Sequence, residues 1–150
     1  MTNTALQTEL ISILSQEREF LEQIVELAEH QQQALIRFDA DKIESIALEQ
    51  ERLSKSMTDL EMQRFRVISI ALGITLREAQ SVTLSQMIDH LAPEHVDEMM
   101  NVKMKMSVLV TKLQFLNSVN RVLALRGRNS VRSTLDFISQ EKVHVVNASL

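Results

Sequence analysis

Few side chains in this chain of 150 residues have chemistry within reach. Its four histidines are His30, His90, His95 and His144, and cysteine is absent, so thiolate nucleophiles and disulfides are excluded. A two-metal carboxylate site in a helical bundle needs Glu-x-x-His on two helices and a further Glu from each of two more. The chain supplies one such pair, Glu141 and His144. His90 and His95 lie close to one helical turn apart, but Pro93 falls between them, and they read as solvated or capping groups. There is no glycine-rich phosphate loop, no G-x-S-x-G and no H-E-x-x-H. Catalytic, metal and cofactor sites are therefore all read as none, and the chain as a non-enzyme.

The polar groups that remain of interest lie near an apolar stripe in the C-terminal third. Asn117 and Asn120 stand close to it, and Arg121, Arg126, Arg128 and Arg132 gather around Gly127. Such arginines could meet phosphates. An acidic overall balance of −4, no neighbouring aromatic platform and no DNA- or RNA-binding motif argue for no nucleic-acid partner. The charge is unevenly placed: residues 1–62 carry a net −8, residues 63–100 a net −2 and residues 101–150 a net +6. The acidic part can lie beside the basic part within one fold, or the basic part can draw an acidic partner.

These residues need helices to position them. Two Gly, one Pro, no Trp, no Tyr and 3% aromatics leave few turn formers and few strand formers, whereas eight Met and 45% hydrophobic residues suit an adaptable aliphatic core. From Leu6 the seam runs through Leu10, Ile13, Glu17, Phe20, Ile24, Leu27, Gln31, Ala34 and Phe38 in steps of four and three, a heptad pattern in which Glu17 and Gln31 read as register-setting polar residues. FDADKIES breaks it, with Asp39 or Asp41 as the cap of the next helix and Glu44 three after Asp41 as in a capping box. A second seam follows through Ile43, Ile46, Gln50, Leu53, Met57, Leu60, Arg64, Val67 and Ala71, stopped by Gly73.

Residues 74–92 form an irregular middle in which Thr83 and Gln86 predict a short capped helix packing Leu84, Met87, Ile88 and Leu91. Pro93 opens the third long helix, expected over 93–141, with a seam through Val102, Met106, Leu109, Leu113, Leu116, Asn120 and Leu123. At Gly127 the pattern changes register, and the helix can bend, fray or end there unless packing holds it. The expected fold is all-α: one domain over 1–150, an elongated antiparallel bundle with a helical hairpin over 4–73, a short helix in the middle and the long C-terminal helix. No run reaches the roughly 18 apolar residues of a spanning helix, and the N-terminus has no basic region ahead of an apolar core. The expectation is a soluble, cytoplasmic protein without stable membrane insertion.

In order and spacing the chain resembles the FlgN-type flagellar export chaperones. The resemblance spans nearly all of it: LxxEREFLEQIVELAEHQQQALIRFDADKIESIALEQERL at 14–53, with Glu17 and the ALIRFDADKI crossover; LEMQRFRVISIALG at 60–73; VTLSQMIDHL at 82–91; and NSVNRVLAL at Asn117–Leu125, similar to the family's NxxN followed by aliphatic residues. The resemblance implies a non-enzymatic cytoplasmic chaperone whose C-terminal amphipathic helix binds the terminal helical segments of hook-associated junction proteins of the FlgK and FlgL type, prevents premature assembly and delivers them to the flagellar export apparatus, as monomer or homodimer. Carried onto this sequence, the client region corresponds to about Asn117–Ile138. Asn117 and Asn120 match the family's motif; Leu123, Val131, Leu135 and Ile138 rest on periodicity. Two alternatives outside this role are a structural coiled-coil or adaptor protein and a secretion chaperone for a different client; a carboxylate-metal enzyme is the third and predicts bound metal.

Overall fold

The computed structural model describes residues 3–131, with side chains as far as Gly127. Every regular element among them is a helix: α1 Thr4–Ile36, α2 Ala40–Leu72, α3 Leu76–Ala79, α4 Leu84–Ile88 and α5 Pro93–Val131. The three long helices follow the sequence seams. α1 starts on Asn3, whose side chain accepts from the Ala5 and Leu6 amides and so satisfies two of the orphan donors of a first turn. α2 starts on Asp39, not Asp41: the Asp39 carboxylate accepts from the Lys42 amide at 3.2 Å. Thr83 and Gln86 form the expected capping box of α4, and Thr75 with Glu78 forms a second box that creates α3.

Both α1 and α2 are followed by a left-handed residue. After α2 it is Gly73 (φ 65°), a conformation free of steric cost without a Cβ. After α1 it is Phe38 (φ 54°), where the Asp39 amide reaches back to the Ala34 carbonyl at 3.0 Å. A bulky residue there is an outlier whose strain must be offset by something else.

Partner numbers give the relative directions. Glu17 meets Arg64 and Gln31 meets Gln50, so advancing along α1 means retreating along α2, an antiparallel pair. Gln7 meets Ala92 and Gln31 meets Asn120, so α1 and α5 run parallel. Both α2 and α5 lie along α1, which is buried over more than half its circumference. Leu10, Leu14, Leu21, Leu53, Ile68, Met99, Met106 and Leu113 make the centre of a core with no Phe in it. Leu84 and Met87 of α4 close one end, the end at which the Gln7 side chain accepts from the Ala92 amide at 2.9 Å. The acidic and basic parts of the chain do face each other, joined directly by Lys112 and Glu29 at 2.6 Å.

α5 passes through Gly127 without a break. Its buried positions run Met99, Val102, Met106, Val110, Leu113, Leu116 with Asn117, Asn120, Ala124 and Gly127. The expected seam therefore holds with one adjustment: Val110 is buried where Leu109 was expected, and Leu109 is half-buried. Gly127 continues the buried seam, and the side chains after it, on which the expected change of register rests, lie outside the described set. A Cβ built on it would lie 3.3 Å from Phe38 Cε1, so the missing side chain is the space in which the Phe38 ring rests. The ring lies beside α5 at this position and is itself 60% exposed.

Candidate functional site

The residues expected to receive a partner lie on the C-terminal half of α5, where polar side chains interrupt the apolar seam. Asn120 is buried, and its Nδ2 donates to the Ala28 carbonyl at 2.9 Å and to Gln31 Oε1 at 3.2 Å. Gln31 Oε1 also accepts from Gln50 Nε2 at 3.2 Å, which links all three long helices through one amide. Asn117 is buried one turn away. In this conformation neither asparagine is open to an external partner; the Asn120 amide nitrogen is spent on α1, which fixes the register of α5, while its Oδ1 is buried with no hydrogen-bond partner. Leu123 is half-buried. Val131 ends α5, with its side chain beyond the described set, and Leu135 and Ile138 lie outside the described residues. The structure thus brings Asn117, Asn120 and Leu123 together on one stretch.

A second polar layer lies two heptads away. Arg64 Nη1 donates to Glu17 Oε2 at 3.0 Å, with Glu17 fully buried and Arg64 2% exposed. Glu61, also buried, stands close enough to act on the pair electrostatically. Burial pushes the Glu17 carboxyl up to about 7, Arg64 opposes the rise and Glu61 adds to it. Desolvation wins here because Glu17 Oε1 and Arg64 Nη2 have no hydrogen-bond partner, so neither ion is fully solvated by protein. The layer can couple helix register to protonation, with both side chains buried.

The histidines do not converge. His30 and His90 are exposed, His95 is half-buried and His144, with Glu141, lies outside the described residues. Among the described residues no three His, Asp or Glu side chains are placed to share a metal ion. Of the basic cluster, Arg121 and Arg126 are exposed on α5, Arg128 has only its backbone described and Arg132 lies outside.

One feature escaped the sequence reading. Met104, Val108, Phe115, Val122 and Leu125 are exposed on α5, with Phe115 66% exposed. At 100° per residue they fall on the side of the helix opposite the seam that meets α1. The signal was available: Met104, Thr111, Ser118 and Leu125 recur every seven residues, as do Val108, Phe115 and Val122. It was masked because α5 has apolar residues on two opposite faces, and a single seam accounts for only one.

The fold is thus a helical hairpin with a third long helix laid along it, and that helix is apolar on two opposite faces. The chain belongs to the FlgN family: the family described as "FlgN protein" matches residues 1–148. It is thus a member of a chaperone family of flagellum assembly, with a flagellar export role. No curated protein and no solved structure matches it. Among the described residues, no helix is long and apolar enough to cross a membrane.

Proposed function

We propose that this protein is a cytoplasmic type III flagellar export chaperone that binds the terminal helical segments of hook-associated junction proteins of the FlgK and FlgL type, prevents their premature assembly and delivers them to the export apparatus. The observation that carries the reading is the family match over residues 1–148. A client segment that folds only in the filament has an apolar helical face needing temporary cover, and a helix-to-helix contact supplies it. In this proposal Leu123, Val131, Leu135 and Ile138 touch the client. Asn117 and Asn120 act by fixing where α5 lies on α1, since both are buried there. The protein acts without catalysis or cofactor.

The test is a titration of purified junction protein of the FlgK type, and of the FlgL type, into this protein and into Leu135→Asp. Saturable binding by the wild type and a loss of about tenfold or more in the variant are expected, the size of one well-buried apolar anchor. Equal affinity of the two forms overturns the assignment of Leu135. Absence of binding by the wild type to either junction protein overturns the client.

A further inference from the structure

The two polar layers of the α1–α2 hairpin are built from different chemistry. Near the turn, Gln50 Nε2 and Asn120 Nδ2 each donate to Gln31 Oε1 at 3.2 Å, and none of the three side chains can gain or lose a proton in the ordinary pH range. Fourteen residues further from the turn on each helix stand Glu17 and Arg64, both buried. Arg64 Nη1 donates to Glu17 Oε2 at 3.0 Å, whereas Glu17 Oε1 and Arg64 Nη2 have no hydrogen-bond partner among the described residues. A guanidinium and a carboxylate can pair through two parallel hydrogen bonds, so half of that capacity is unused here. Burial of two ions held in this way costs more than their attraction returns.

The surroundings do not relieve the layer. From α2, Glu61 is buried one turn before Arg64 and bears on Glu17 with a second negative charge. On α1 itself, Arg18 is engaged by Glu22 at the helix surface. From α5, the register that sets Gln7 beside Ala92 and Gln31 beside Asn120 brings the buried, apolar Val102 and Met106 to this level, with Lys103 half-buried and Lys105 exposed. α4 has no ionisable side chain, and Arg77 and Glu78 of α3 are exposed. Arginine keeps its proton throughout, so the group that can adjust is a carboxyl. A proton on Glu17 removes one buried negative charge and leaves Glu61, a turn away on α2, as the negative neighbour of Arg64. We infer that the Glu17–Arg64–Glu61 layer is a proton-operated latch, closed and dry while Glu17 holds a proton, and opened to water, with local loosening of α1 from α2, when that proton passes to solvent. The amide layer has no proton to lose, so α5 keeps its seat on α1 near the turn while the other half of the hairpin yields. Burial raises the Glu17 carboxyl to about 7, which puts the change near neutral pH, with the latch closed below that value and weakened above it.

The test is amide hydrogen exchange of the full chain, read by mass spectrometry at pH 6, 7 and 8, with labelling times scaled for the intrinsic rate. Protection of residues 12–22 and 59–69 is expected to fall by about tenfold between pH 6 and pH 8, since each unit above the folded value costs about tenfold in the closed population. Residues 26–36 and 45–55, around the amide layer, are expected to change by less than about twofold. Glu17→Gln, which cannot ionise, is expected to abolish the response. If that variant does not fold, the contrast between the two layers in the wild type still decides. The NMR shift of the Glu17 carboxyl carbon is expected to titrate together with the loss of protection. Protection that does not change with pH, an equal fall at both layers, or a fall that persists in Glu17→Gln overturns the inference. A carboxyl that titrates near 4.5 overturns it equally.

Discussion

Glu17→Gln separates two opposed effects at one buried site. The Glu17 carboxyl is fully buried against Arg64 at 3.0 Å, yet it is raised from 4.5 to about 7, so loss of hydration outweighs the attraction of the guanidinium. A group bound more tightly to its proton in the folded state stabilises the fold fully below its unfolded value and loses that contribution as pH rises through the folded value. The window is therefore about 4.5 to 7, and the contribution is about 3 kcal/mol, present at the acid end and absent above it. Gln keeps the shape and an acceptor oxygen for Arg64 but cannot ionise. At pH 5, where Glu17 is largely protonated in the fold but largely ionised in the unfolded chain, the variant should already be the more stable by about 1 kcal/mol. At pH 8 the variant should be the more stable, by as much as about 3 kcal/mol. Urea unfolding followed by circular dichroism at pH 5, 6, 7 and 8 reads the difference, and taking variant minus wild type cancels other titrating groups that are unaffected by the substitution. A variant less stable than wild type at pH 8 would mean that the ion pair outweighs its desolvation, and would refute the reasoning.

Three further substitutions test the packing that positions α5. Asn120→Ala removes donors to the Ala28 carbonyl and Gln31 Oε1 and should cost about 1–3 kcal/mol in urea unfolding; an unchanged midpoint would show that the amide layer does not hold the helices. Gly127→Ala places a methyl group 3.3 Å from the Phe38 ring, but that ring is 60% exposed and can give way, so the helix-propensity gain of up to about 1 kcal/mol should prevail and raise the melting temperature. A lower melting temperature, restored by Phe38→Ala in the same chain, would show instead that the ring is fixed in place. Asp39→Ala removes the α2 cap and should cost about 1 kcal/mol, whereas Asp41→Ala should cost much less because Asp39 is the residue that accepts from the Lys42 amide.

Helix content, the short α4 and the starts and stops were legible because they depend on neighbours in sequence: seven-residue periodicity, the Thr83–Gln86 box, Pro93 and Gly73. Glu17 and Gln31 were legible as register-setting interruptions, and more was available. Glu17 and Gln31 are separated by fourteen residues, as are Gln50 and Arg64, so an antiparallel hairpin in the right register must bring both pairs together. The register itself depends on the length and geometry of the Arg37–Asp39 turn, including the left-handed Phe38, which no local preference of Phe predicts.

Gly127 marks the limit of that reading. By propensity a glycine inside a helix is a weak point, and the sequence alone offers a bend, a frayed end or a stop. Phe38 lies 89 positions earlier, and only when α1 and α5 run parallel does its ring reach the space that a side chain at Gly127 would fill. The same holds for Asn117 and Asn120, whose polarity beside a seam suggested an outward role until the fold buried both and α1 supplied Ala28 and Gln31 as partners for Asn120. Sequence by itself determined which faces of α5 are apolar, since periodicity is carried along one chain. Tertiary structure decided which of the two faces is spent on α1 and which stays open, because that depends on the helix that comes to lie beside it.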